Sequence, residues 1–117
     1  MNYHFKLNDR PFKAIKAKTK KVEGRAPKSL ADRRYQEMVP GDILTFTNNI
    51  TAEQLQCEIL FVHHYNNVRA MLEAEGTQNV LSSGEDVAGG IKSYNSIADY
   101  KERIKKYGIY AIGLKLK

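Results

Sequence analysis

Lys20, Glu23 and Arg25 stand close together in the stretch KTKKVEGR, residues 18–25. Two cations at one spot can hold a phosphate or polarise a carbonyl, and arginine does so bidentately. A carboxylate between them can take up a proton or accept from an N–H on a nucleobase. Whether the three meet depends on the backbone. Side chains alternate along a strand, so Glu23 and Arg25 share one face while Val22 and Gly24 take the other. Val22 belongs to a core, which sends Glu23 and Arg25 outward or into a cleft. Lys20 has the wrong parity for that face and joins them only from the turn before the strand. Gly24 lets a ligand or another backbone approach closely. The same spacing also describes a solvated strand face, where such pairs are worth little. Spacing alone leaves both readings open.

The elements that must position these residues follow from hydrophobic period and turn residues. Tyr3, Phe5 and Leu7 alternate with His4 and Lys6, which predicts a strand over residues 2–8. Pro11 opens a short helix with Phe12 and Ile15 inward. Residues 26–39 read as a loop with one helical turn, and Pro40-Gly41-Asp42 turns the chain into a strand over 43–47. Leu55, Cys57, Ile59, Phe61 and His63 give the longest alternation, read as one strand with these residues on one face. Val68, Met71 and Leu72 fit a helix that Gly76 stops. Residues 77–93, rich in Gly and Ser, read as a mobile loop with a helical turn at 85–88. Ser96-Ile97-Ala98-Asp99 resembles a capping box, opening a helix that buries Ile97, Tyr100 and Ile104 and ends at Gly108. Tyr110, Ile112, Leu114 and Leu116 alternate in a last strand. With strands near both ends of the sequence, a closed or nearly closed barrel that pairs them is expected. The fold class is therefore α+β, a small barrel of five to six mostly antiparallel strands with short helices at its ends, in a single domain over residues 1–117.

Charge narrows the partners. Residues 1–36 hold eleven Lys/Arg against three Asp/Glu, whereas residues 37–117 hold eight against ten. The first third thus carries the whole positive excess of a chain with formal net charge +6. Such a segment concentrates phosphate-bearing partners, and Lys13, Lys16 and Lys18 are its expected phosphate contacts. No apolar run spans a membrane and no secretory leader is visible, so a cytoplasmic protein is expected. A single cysteine, Cys57, fits that compartment and reads as an inert core thiol. His63 and His64 point to opposite faces of a strand, so no metal site is expected, nor any cofactor. Tyr65 and Tyr107 close elements near the expected cleft and are candidates for stacking a base. Lys101, Arg103, Lys105 and Lys106 suit a helix C-terminus.

Lys20-x-x-Glu23-x-Arg25, on a strand after a short helix, resembles the motif of the ASCH domain, a relative of the RNA-associated PUA barrels. "YHFKLNDRPFKAIKAKTKKVEGR", "VPGDILTF", "VHHY" and "YGIYAIGLKL" extend the likeness over nearly the whole chain. The resemblance implies a PUA-like barrel whose cleft, lined by Lys18, Lys20, Glu23 and Arg25, binds RNA or a nucleotide or nucleoside. The family's glycine at the first motif position is Lys18 here, which implies a looser turn and one more positive charge. One branch is similar to amidohydrolases acting on N4-acetylcytidine, with lysine at position 20, a threonine nucleophile at position 23 and a distant glutamate. Here Glu23 replaces the threonine, and Glu73 or Glu75 stands for the distant carboxylate. Three functions follow as expectations: an RNA or nucleotide binder; a hydrolase of a modified nucleoside or of RNA, with Lys20 and Glu23 catalytic; or a protein-interaction module.

Overall fold

A computed structural model describes all 117 residues. The alternating segments become strands β1 (Asn2–Leu7), β3 (Ile43–Asn48), β4 (Gln54–Tyr65) and β5 (Ile109–Leu116), and VEGR becomes the short strand β2 (Val22–Arg25). They form one curled sheet in the order β1-β3-β4-β5-β2, a half-barrel. Three of its pairings are antiparallel, and β1 runs parallel to β3. The α+β class and strand number match the expectation, but the terminal strands do not pair with each other. β1 lies on one edge, β5 lies inside the sheet, and β2 takes the opposite edge.

Helices cover both faces of the sheet. On one side α1 (Asp9–Lys16) and α2 (Arg34–Glu37) pack Phe12, Ile15 and Tyr35 against Phe5, Leu44, Phe46, Cys57, Ile59 and Ile112. On the other, α3 (Val68–Glu75), α4 (Thr77–Val80), α5 (Val87–Ser96) and α6 (Tyr100–Tyr107) bury Met71, Leu72, Val80, Tyr94 and Ile104 against Val22, Ile109 and Ala111. Being covered on both faces, β5 reads as the nearly unbroken apolar run IYAIGL. No helix is long and apolar enough to cross a membrane.

Three local expectations need correction. β4 carries a bulge between Ile59 and Phe61, which inserts Leu60 and reverses the parity of everything after it. Ile59 and Phe61 therefore belong to different cores, and the nine-residue alternation does not mark a single face. The 77–93 segment is largely helical: α5 takes its N-cap from Asp86, whose carboxylate accepts from Gly89 N–H at 2.9 Å. Its glycines hide the helical pattern. Gly90 is nevertheless required, because a Cβ there would stand 2.6 Å from Leu72 Cδ1 where α3 and α5 meet. Ser96 does not cap α6 but ends α5, donating to Ser93 O at 2.6 Å, and Ile97 is exposed.

The turn after α1 is tight rather than loose. Ala17 closes the helix and Lys18 takes the left-handed conformation, φ 66°. Thr19 N–H and Lys20 N–H then both reach Ala14 O, at 3.0 and 3.2 Å, in a Schellman-like wrap. A residue with a Cβ is strained there by about 1–2 kcal/mol. Glycine relieves that strain but is freer when unfolded, so Lys18→Gly is expected to stabilise the fold by about 0.5–1 kcal/mol. Urea denaturation checks this; a lower midpoint would show that the lysine makes a compensating contact.

Candidate functional site

The half-barrel leaves a gap between its two edge strands, and that gap is a cleft. Lys6, Leu7 and Asn8 form one lip and Glu23, Gly24 and Arg25 the other, enclosing about 400 Å³. The Schellman-like wrap delivers Lys20 to this place from outside the strand, which is how a residue of the wrong parity comes to meet Glu23.

Lys20 is 5% exposed, and its ammonium has three acceptors: Val22 O at 2.7 Å, Val80 O, and Glu23 Oε1 at 3.2 Å. These match its three N–H donors and hold it in the charged form. Burial nonetheless pulls its pKa below the usual lysine value, against the opposing pull of Glu23. Glu23, 6% exposed, receives Arg25 Nε on Oε2 at 2.7 Å. Burial pushes its carboxyl up, but Arg25 and Lys20 together overcome this and hold it below the ordinary value. Desolvation pulls the Arg25 guanidinium down, and Glu23 more than offsets it. The three groups thus form a chain, cation–anion–cation, buried at Lys20 and Glu23 and part-exposed at Arg25, with one positive charge in excess.

Arg25 also spans the gap. Its Nη2 donates to Lys6 O on β1 at 3.1 Å, and its guanidinium lies over the Phe5 ring, 4.6 Å from the centroid. Two of its five N–H groups are engaged by Glu23 and Lys6, so three remain for a ligand.

An aromatic wall rises beside the charged floor. Tyr94 and Tyr100 stack with centroids 6.4 Å apart and planes at 14°, and Arg103 lies 5.3 Å over Tyr100. Gly24 makes room for this wall, since a Cβ there would come within 2.4 Å of Tyr94 Oη. Burial drives the Tyr94 hydroxyl pKa far up, so it remains a neutral donor. Lys6, Arg10 and Arg103 bring positive charge to the lining, and Ser82, Ser83 and Ser93 bring hydroxyls. One further carboxylate lies here. Glu85 Oε1 accepts from Ser83 and from Ser93 at 2.7 Å, and these two hydroxyls hold its pKa below the usual value with help from Arg10.

Lys20, Glu23 and Arg25 are brought together; the other proposed residues are not. Lys18 borders a separate small cavity with Lys21, Leu60 and Lys115. Tyr65 donates to Glu75 at the far end of β4, and Tyr107 offers its carbonyl to His64 Nε2 at 2.9 Å; neither lines the cleft. Glu75 is held by Tyr65 and His63, and Glu73 lies 3.9 Å from Arg69 on an exposed helix face, so neither supplies the distant carboxylate. Besides Glu23, the carboxylate that lines the cleft is Glu85. Lys13 and Lys16 pair with Asp9 and Glu53 outside the cleft. Glu85 and Ser93 fall in the 77–93 segment read as a loop, and Tyr94 follows it directly on the same unread helix. The only signal for them was Asp86, an N-cap three residues before Gly89.

No protein-family model matches the chain, and no curated protein does. Two solved structures match it from end to end. The crystal structure of hypothetical protein PH0355 is 32% identical, with a TM-score of 0.84 and 100% of both chains covered. The solution NMR structure of protein PF0455 from Pyrococcus furiosus is 33% identical, with a TM-score of 0.74, covering 99% of this chain and 97% of that one. With this identity sustained along the whole length, the chain belongs to the same family as these two archaeal proteins.

Proposed function

We propose that this is an ASCH-type, PUA-like domain that binds RNA, or a nucleotide-sized part of it, in the cleft between β1 and β2. The observation that carries this reading is the excess positive charge of the Lys20–Glu23–Arg25 chain, set beside the Tyr94–Tyr100 wall. A nucleotide needs both features: a cation for its phosphate and an aromatic or guanidinium plane for its base. Arg10 and Arg103 reinforce the first, and Glu85 can accept from an exocyclic amine. A hydrolase finds less support. A general base works best with a pKa near the operating pH, whereas Glu23 lies below its ordinary value between two cations, and Lys20 has all its donors engaged.

Calorimetric titration with 5′-mononucleotides and the corresponding nucleosides tests the proposal. Nucleotides are expected to bind at least roughly tenfold tighter than nucleosides, a difference of about 1.4 kcal/mol. The double variant Arg10→Gln/Arg103→Gln should erase most of that margin. Equal affinity for nucleoside and nucleotide would remove the phosphate from the reading. No binding of either, or of short RNA, would leave the protein-interaction alternative.

A further inference from the structure

On the opposite side of the α5–α6 pair lies a second groove of about 550 Å³, bounded by the start of α3, the end of α5 and one flank of α6. Its charged lining has one sign: Arg69, Lys101 and Lys105, with no aspartate or glutamate. All three are exposed; Lys101 and Lys105 enter no ion pair, and Arg69 has only Glu73 at 3.9 Å. Helix stability does not account for this cluster. Lys105 lies in the last turn of α6, where the dipole favours a cation, but Lys101 and Arg69 lie in the first turns of α6 and α3, where it opposes one. Positive side chains and positive helix ends thus converge on one groove. Such a concentration of potential suits an anion. Asn95 on the same wall offers amide donors and an acceptor.

The groove and the cleft are neighbours. At the end of α5, Asn95 borders the groove and Ile97, two residues on, borders the cleft. On α6, Lys101 and Lys105 face the groove and Arg103 the cleft. The exposed Ser96–Ile97 corner at the end of α5 joins the two linings. A mononucleotide occupies one concavity; a polymer with a phosphate at every residue can occupy both.

We infer that the ligand is single-stranded RNA several nucleotides long: the cleft takes one nucleotide, the strand crosses the α5–α6 corner, and the groove holds the phosphates that follow. This rests on the nucleotide-binding reading of the cleft, and the test separates the two. Binding of a 5′-mononucleotide and of a single-stranded RNA of about ten nucleotides, a length within the usual range for such grooves, is measured against salt for wild type and for Arg69→Ala/Lys101→Ala/Lys105→Ala. The longer RNA should bind wild type at least roughly tenfold tighter than the mononucleotide. The triple variant should lose that gain and flatten the slope of log K against log salt by about 2, from roughly 0.7 per phosphate contact. Its mononucleotide affinity should not change. If the longer RNA gains nothing, or its gain survives in the triple variant, the track is wrong while the cleft reading stands. If neither ligand binds, both readings fall. If polyglutamate binds as tightly as the RNA and depends on the same three residues, the groove takes acidic protein and the assignment to RNA is overturned.

Discussion

Glu23→Gln is expected to cost the folded state about 3–5 kcal/mol, the range for removing one partner of a buried ion pair. Lys20 is 5% exposed and has no other carboxylate, so the amide leaves that ammonium buried without a counter-charge, and the amide's own NH2 must face one of the two cationic donors that Glu23 had accepted from. At this chain length the loss corresponds to roughly 10–20 °C in Tm. Denaturant curves should shift in midpoint at constant slope. The double variant Lys20→Met/Glu23→Leu, which removes the stranded charge, should recover most of the loss, because Arg25 is part-exposed and water can solvate it. A loss below about 1 kcal/mol for Glu23→Gln would show that Lys20 sheds its proton in the folded protein instead. The pH dependence has a definite sign. The carboxyl is lowered on folding, so its stabilisation is fully present above the ordinary glutamate value of 4.5 and fades as pH falls through the lower folded value. Wild type should therefore lose stability on acidification below that value, and Glu23→Gln should lose less.

Arg25→Lys is expected to weaken nucleotide binding at least tenfold while the protein stays folded. Lysine keeps the charge but not the planar fork that joins Glu23 to Lys6 O and stacks on Phe5. Calorimetry reads the affinity, and thermal melting confirms that the variant is folded. Wild-type affinity in Arg25→Lys would mean that the cleft senses charge alone.

What the sequence made legible is what depends on near neighbours. Strands β1, β3 and β5 and the short helices around Phe12 and Met71 were readable from apolar pattern and turn residues. So was the requirement that Lys20 act from a turn, because strand parity admits no other route. The bulge at Leu60 was not readable: an inserted residue that is itself apolar leaves the hydrophobic pattern unbroken while swapping the faces. Helix α5 was hidden for a different reason, since Gly89 and Gly90 oppose helix locally and Gly90 is justified by contacts with Leu81 and with Leu72, which lies far back along the chain. Loss of α5 from the reading took Tyr94 and Ser93 with it, and Glu85 just before its N-cap, and base stacking passed to Tyr65 and Tyr107 by default. Burial of Glu23 was equally invisible, because a charged residue on an edge strand gives no local sign that the opposite edge will curl round to cover it.

That the cleft is a gap between edge strands has a consequence for how the protein acquires its function. β2 is the second strand along the chain, yet its only sheet partner is β5, the last. Until β5 is in place, the segment carrying Glu23 and Arg25 has no strand to pair with, and only its contacts with α4, Tyr94 and β1 hold it opposite the lip formed by Lys6. The pairing of β2 with β5 joins positions about ninety residues apart, and contacts so far apart in sequence form slowly. If the cleft binds nucleotides as proposed, a partly folded chain, basic as its first third is, offers a phosphate only a diffuse polycation, and the shaped site arrives when β2 pairs with β5.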